Sequence, residues 1–279
     1  MAERLPPMTN AEYHACDGVS NSKLSDFAKS PAYYHAVHIA GTVKKSPPTD
    51  DMLIGTALHE VVLEGGPQSF VPLEEPLDLR TKAGKELAAK IAKEHPGKAI
   101  LRIDDWLQVC KMQQAILQHK AASRLLFESQ GENEIGYVFH DLYHGIRRRC
   151  KVDRVINEGR FIIDIKTCND AGPEAFAKNV LQREYHRQAA FYRDIVQEAE
   201  QTDFAPQFFF IAVSKEELPR VEVYKMPDEF LHLGELRLQK LLADFAACNR
   251  SGQWQFEHFG EVLSLPVPRY AKYQGEYEV

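Results

Sequence analysis

The amino-acid order predicts an α/β protein, with helices packed around a mixed central sheet. Three observations carry this. The first third has its apolar residues at helical spacing, and the centre switches to alternating aromatic and β-branched runs. A long helical stretch then leads into PQFFFIAVS, a short continuous apolar run of the kind a strand buried on both faces has. Helices, three strands, a helix and further strands are the pattern of a layered sandwich around one sheet.

Each element follows from local signals. In SNSKLSDFAKSPAYYH, Ser20 or Ser22 can cap a short helix carrying Leu24 and Phe27, and Ser30-Pro31 stops it and starts another. Residues 41–50 read as a loop. DMLIGTALHEVVLEGG, from Asp51, is a helix ended by a glycine pair. A proline-rich connection, 66–80, leads to two amphipathic helices at 81–95 and 104–129. EIGYVFHDLY, 134–143, is a strand; His144-Gly145 turns it into 146–156, and 157–159 turns that into 160–167. These three form an antiparallel meander. One long helix over 173–200 precedes the buried strand, RVEVYKM is an edge strand, 228–249 is a last helix, and the tail from Leu263 is irregular. We expect one domain over 1–279: a mostly helical part to 130, a sheet with flanking helices over 131–250, and a tail over 251–279.

Composition narrows the function classes. A chain of 279 residues buries a full core. No apolar run approaches the roughly 20 residues of a membrane span, and the polar N-terminus lacks a signal-peptide stretch. Five cysteines, odd in number and without a CxxC pair, argue against a disulfide framework, a zinc ribbon or an iron–sulfur cluster. The expectation is a cytoplasmic protein without a membrane partner. A formal charge of −6 argues against an indiscriminate polyanion binder but leaves local basic patches open. No GxxxxGK[ST] loop is present, so nothing implies ATP use.

The chemistry concentrates in GIRRRCKVDRVINEGRFIIDIKTCND. Asp153 and Asp164 can converge on one hard cation through oxygen, and Lys166 stands two residues beyond the second acid. Strand alternation puts Arg147, Arg149, Lys151 and Asp153 on one face, and Asp164 and Lys166 on one face of the next strand. If those faces coincide, two carboxylates, a lysine and a basic row surround one cleft, and the row attracts phosphates. The alternative is a solvated sheet face carrying ion pairs, with the basic row pairing to acids such as Asp141. Against it stands the apolar run around Asp164, because buried acids are rare unless paired or metal-bound. His59 lies on an otherwise apolar helix, either as a core hydrogen-bond partner or as a metal ligand, with Gly55 one turn earlier clearing room. Gln188 and Tyr192, at i and i+4, face one way and could hold a phosphate, a metal water or the lysine, or only brace helix against sheet. Glu134 is a further candidate carboxylate, or simply solvates a strand end. No HExxH pairing and no nucleophile elbow are present.

Taken together, these segments resemble the PD-(D/E)xK nuclease superfamily, and more narrowly the RecE-type (exonuclease VIII) nuclease domain. The likeness runs through SNSKLSDFAKSPAYYH, GTALHEVVLE, LRTKAGKE, GIRRRCKVDRV, FIIDIKT, YHRQAAFY, FFFIAVS and LSLPVPRYAK, in that order. It implies a restriction-endonuclease-like core. His59, Asp153, Asp164 and the backbone carbonyl of Ile165 would be metal ligands, Lys166 the catalytic lysine, and Gln188 and Tyr192 the QxxxY pair. Val152 stands where a proline often precedes the first aspartate; proline there would add stiffness, not a ligand. The resemblance further implies a Mg²⁺-dependent, ATP-independent exonuclease, with Mn²⁺ able to substitute. It would remove the 5′-ended strand of linear duplex DNA as a homo-oligomeric ring, beside a RecT-like single-strand annealing partner in phage or prophage recombination. Two other readings are a structure-specific or restriction-type endonuclease of the same superfamily and a non-cleaving DNA-binding protein. Retention of Asp153, Asp164 and Lys166 together argues against the second. A two-carboxylate sugar or nucleotide hydrolase would need neither the lysine nor the basic strand.

Overall fold

The structure is a computed structural model and describes residues 1–78, 80–255 and 260–267. In chain order it contains β1 (Ala2–Arg4), α1 (Asn10–Ala15), α2 (Asn21–Lys29) and α3 (Pro31–Tyr34), which runs into a π-helical turn at His35–Ile39. Then come α4 (Asp50–Leu63), β2 (Phe70–Pro72), α5 (Lys82–Glu94), β3 (Ala99–Leu101), α6 (Ile103–Gln118) and α7 (Lys120–Ser123), with a second π-helical turn at Arg124–Glu128. The second half has β4 (Gly131–Asp141), β5 (Ile146–Ile156), β6 (Phe161–Cys168), α8 (Pro173–Gln182), α9 (Tyr185–Glu200), β7 (Gln207–Ser214), β8 (Val221–Lys225) and α10 (Asp228–Ser251).

Six strands form the main sheet in the order β1-β4-β5-β6-β7-β8. Every pairing is antiparallel except β6 with β7, which is parallel. The expected meander is therefore β4-β5-β6, and the parallel step needs the crossover that α8 and α9 supply. Side chains alternate across the sheet and build two cores. Phe191, Phe208, Phe210 and Phe245 belong to the face covered by α9 and α10. Met112, Ile163, Ile165 and Ile211 belong to the face covered by α4 and α6. Burying a phenylalanine of this kind contributes about 2 kcal/mol. At Gly234 of α10 an added Cβ would lie 2.1 Å from the His186 carbonyl oxygen, so glycine lets α10 meet the start of α9 backbone to backbone.

The capping signals work largely as read. Ser20 Oγ, not Ser22, accepts from Lys23 N at 3.3 Å, and Ser30 Oγ accepts from Tyr33 N at 3.2 Å with Pro31 in the first turn. Two long helices of the sequence reading are broken. The 104–129 stretch leaves helical geometry at His119, whose Nδ1 accepts from Ala122 N at 3.2 Å and so caps α7. The 173–200 stretch breaks at Arg183-Glu184, where Glu184 adopts a left-handed φ of 53°. Neither break carries a glycine or proline. Tertiary contacts hold the second: Arg237 of α10 donates to Glu184 at 2.7 Å, and Arg187 pairs with it at 3.1 Å. The N-terminal part also holds strands. β1 forms one edge of the main sheet, and β2 pairs with β3 in a small parallel sheet. Residues 261–267 contain no helix or strand, and the rest of the expected irregular tail lies outside the described residues.

Candidate active site

The site begins where two strands part. β5 and β6 pair only through Arg154–Ile156 against Phe161–Ile163, so the ladder ends just before Asp153 and Asp164. The freed backbone of Ile165 finds side chains instead. Asp153 Oδ2 accepts from Ile165 N at 2.8 Å, and His59 Nε2 lies 2.9 Å from the Ile165 carbonyl oxygen. That carbonyl can only accept, so Nε2 carries the proton and Nδ1 keeps its lone pair in the neutral ring. Nδ1 faces Asp153 Oδ2 at 3.5 Å. Two lone-pair atoms turned on each other need a proton or a cation between them. Gly55 brings α4 close to β6: an added Cβ would sit 3.3 Å from Thr167 Oγ1.

Glu134 joins from β4. Its φ of 56° takes it out of the ladder, which pairs Asn133 with Arg154 and Ile135 with Val152 on either side. The alternation of β5 slips at the same level, since Val152 and Val155 both belong to the core under α9. As a result His59, Glu134 and Asp153 bring ligand atoms within 4.8 Å of one another. Burial, then the charge of Asp164, pushes the Asp153 acid up to about 8. Burial and Asp153 push Glu134 up to about 7, with Lys151 opposing. The His59 ring is held below its usual value by burial and by Lys166. Crowded, desolvated oxygen donors beside a neutral imidazole fit a divalent cation, whose charge would offset the repulsion.

The second acid is held from the other side of the sheet. Asp164 is 1% exposed. Its Oδ1 accepts from Gln188 Nε2 at 2.7 Å, and its Oδ2 lies 2.6 Å from Lys166 Nζ. Burial would lower the Lys166 ammonium, but Asp164 and Asp153 outweigh it and hold the group above its usual value. Of the expected helix pair, only Gln188 reaches the acids by hydrogen bond. Tyr192 sets its ring against Phe208, and burial followed by the charge of Asp164 raises its hydroxyl well above the usual range. The aromatic ring over Lys166 is that of Tyr185, at 4.9 Å.

The basic row is divided. Lys151 lines the cleft, where it pairs with Glu134 and donates to Asn10 Oδ1 at 2.6 Å. Arg147 is half-buried, 3.8 Å from Asp17. Arg149 departs from the expected phosphate contact. It is 2% exposed beneath α1, with its guanidinium 4.6 Å from the Tyr13 ring and Nη2 donating to the His14 carbonyl. Asp141 pairs with Arg148 and His144, not with Arg147 or Arg149. The sequence reading missed α1, although Thr9 and Glu12 form a capping box whose T-x-x-E spacing was visible. Through α1, Asn10, Tyr13 and His14 help line a cleft of about 890 Å³ that also holds His59, Asp153 and Lys166. Burial, then the charges of Arg149, Lys151, Lys45 and Lys23, depress the His14 ring. Among the described residues, no helix is long and apolar enough to cross a membrane.

No curated protein matches the sequence significantly. Among solved structures, a crystal structure named "Putative exonuclease" from Eubacterium rectale is 17% identical, with a TM-score of 0.61, covering 97% of this chain and 99% of that one. At that identity the likeness is one of fold. Residues 20–257 match the family described as a PDDEXK-like domain of unknown function (DUF3799). With most of its length inside that match and its acids and lysine at the parting of two sheet strands, the chain belongs to the PDDEXK-like family.

Proposed function

We propose that this protein is a Mg²⁺-dependent, ATP-independent exonuclease that degrades linear duplex DNA from its ends, removing the 5′-ended strand. The observation that carries the reading is the convergence of His59, Glu134, Asp153, Asp164 and Lys166 at the split between β5 and β6. His59 Nδ1 and the carboxylates of Asp153, Asp164 and Glu134 would hold the cation, with the Ile165 carbonyl beside them. A divalent cation so held lowers the pKa of bound water and neutralises charge developing on the phosphoryl oxygens. Gln188 fixes the Asp164 carboxylate, and Lys166 offers its ammonium protons to the attacking water or the phosphate. Lys151, which lines the cleft, would draw the phosphate backbone in without reading bases, so cleavage shows little sequence preference. The named exonuclease of the same fold supports the exonuclease reading over an endonuclease. By its resemblance to RecE-type enzymes, we propose a homo-oligomeric ring enclosing the duplex and a RecT-like annealing partner.

The test is digestion of duplex DNA labelled at either the 5′ or the 3′ end, in parallel with closed circular DNA. Mononucleotide release from the 5′ label with Mg²⁺, without ATP, is the expected result. Linearised or nicked circles at comparable rates would instead identify an endonuclease.

A further inference from the structure

We propose that Tyr185 is a positioning residue for Lys166, and that the left-handed break before α9 exists to place it. This rests on the nuclease reading above. Lys166 Nζ is held on one side by Asp164 Oδ2 at 2.6 Å and on another by the Tyr185 ring at 4.9 Å. The Phe210 ring lies 6.0 Å away, and Asp153 acts on Nζ only through its charge. A cation over an aromatic face is bound most strongly when it is desolvated, and this lysine side chain is only 16% exposed.

The ring itself is fixed by its surroundings. It packs 5.7 Å from Phe210 and 6.4 Å from Phe176, which stacks in turn on Tyr224 at 5.1 Å. Tyr185 and Gln188 stand three residues apart, so they share one face of α9. Asp164 and Lys166 stand two apart, so they share one face of β6. The first turn of α9 thus meets the Asp-x-Lys pair with one side chain for each member, Gln188 for the acid and Tyr185 for the lysine. An unbroken helix from 173 to 200 would not start a new turn at this level. The break at Glu184 is braced by Arg237 and Arg187, and by the backbone contact at Gly234. Lys166 would otherwise be free to swing toward Asp153, since it has several rotatable bonds and its only strong partner is a single carboxylate oxygen.

The experiment compares Tyr185→Leu, which removes the ring face but keeps apolar bulk, with Tyr185→Phe, which keeps the face and removes the hydroxyl. Read-outs are kcat and KM on linear duplex, Mn²⁺ affinity by calorimetry, thermal melting, and the Lys166 side-chain position in a crystal structure of the leucine variant. The expected result is a kcat about tenfold lower or worse for leucine, with KM, Mn²⁺ affinity and melting near wild type and Lys166 displaced. The phenylalanine variant should regain most of the rate. Leucine at wild-type kcat overturns the proposal. So does phenylalanine failing as leucine does, which would assign the role to the hydroxyl. A leucine variant that loses melting temperature and metal affinity in step with rate also overturns it, as a core effect. Failure of the nuclease reading is distinguishable, because the wild-type protein would then leave duplex DNA intact under every condition.

Discussion

Arg154 and Asp153 are neighbours on β5, and the fold treats their charges in opposite ways. The Arg154 guanidinium is buried and donates to Leu125 O at 2.9 Å, Asn133 Oδ1 at 2.5 Å and Ser129 O at 2.6 Å. Asp153 is given one backbone N–H and sits beside Glu134, Asp164 and the unprotonated side of a histidine, and the charges of Lys166 and Lys151 only partly offset its burial. The first is a satisfied buried charge and ties the π-helical turn and β4 to the sheet. The second is an unbalanced one, and its acid is pushed up to about 8 by burial and Asp164. A buried charge with all its partners in the protein marks structure. One whose missing partner must come from outside marks a site.

The contrast can be broken most directly at the acids. Asp164→Ala and Lys166→Ala should each lower the cleavage rate about a thousandfold or more, with Asp164→Ala also weakening metal binding and Lys166→Ala leaving it intact. Single-turnover digestion beside calorimetry checks this, and activity persisting in Asp164→Ala would sink the assignment. Arg154→Met should do the reverse. Three acceptors lose their donor, so about 3 kcal/mol of stability should go, while metal affinity in the surviving folded protein stays within a few-fold. A denaturant melt decides it.

His59 sharpens the comparison, because it is both kinds of residue at once. Its Nε2–H serves the Ile165 carbonyl, and its Nδ1 faces the cluster. His59→Ala should therefore raise the Mn²⁺ or Mg²⁺ concentration needed for half-maximal activity about tenfold and cost about 1 kcal/mol for the lost hydrogen bond. A stability loss with unaltered metal dependence would leave it a core histidine alone.

The same crowding should show in stability against pH. Asp153 and Glu134 are raised in the folded protein to about 8 and about 7. A raised acid favours the folded state fully below its unfolded value near 4, and that contribution is lost as pH climbs through the folded value. In a chelator, the melting temperature should fall between pH of about 5 and about 8, and Asp153→Asn should flatten the slope. Added Mg²⁺ should close most of the gap at the alkaline end. A chelated protein with the same melting temperature across that range would contradict the crowding of these acids.

How much of this could be read from the chain divides along the range of the forces involved. The meander, the buried β7 and the capped α2 and α3 rest on periodicity and on side chains bonding their own backbone a few residues away. Those interactions are written in consecutive residues. The pairing of Asp164 with Lys166 was legible for the same reason, since strand parity alone puts an acid and a lysine two residues on from it on one face; how Asp153 meets them depends on the parting of β5 and β6. The helix breaks at His119 and Glu184 were not, because no local residue demands them. Arg237 and Gly234, some fifty positions away, hold the second in place. The exposure of Arg149 was misjudged for a related reason: parity gives the face, but whether water or another element covers that face depends on α1, far off in sequence. The choice of Tyr185 over Tyr192 against Lys166 depends on where α9 begins. That start is set by packing between α9 and α10, not by any preference of the residues at the break.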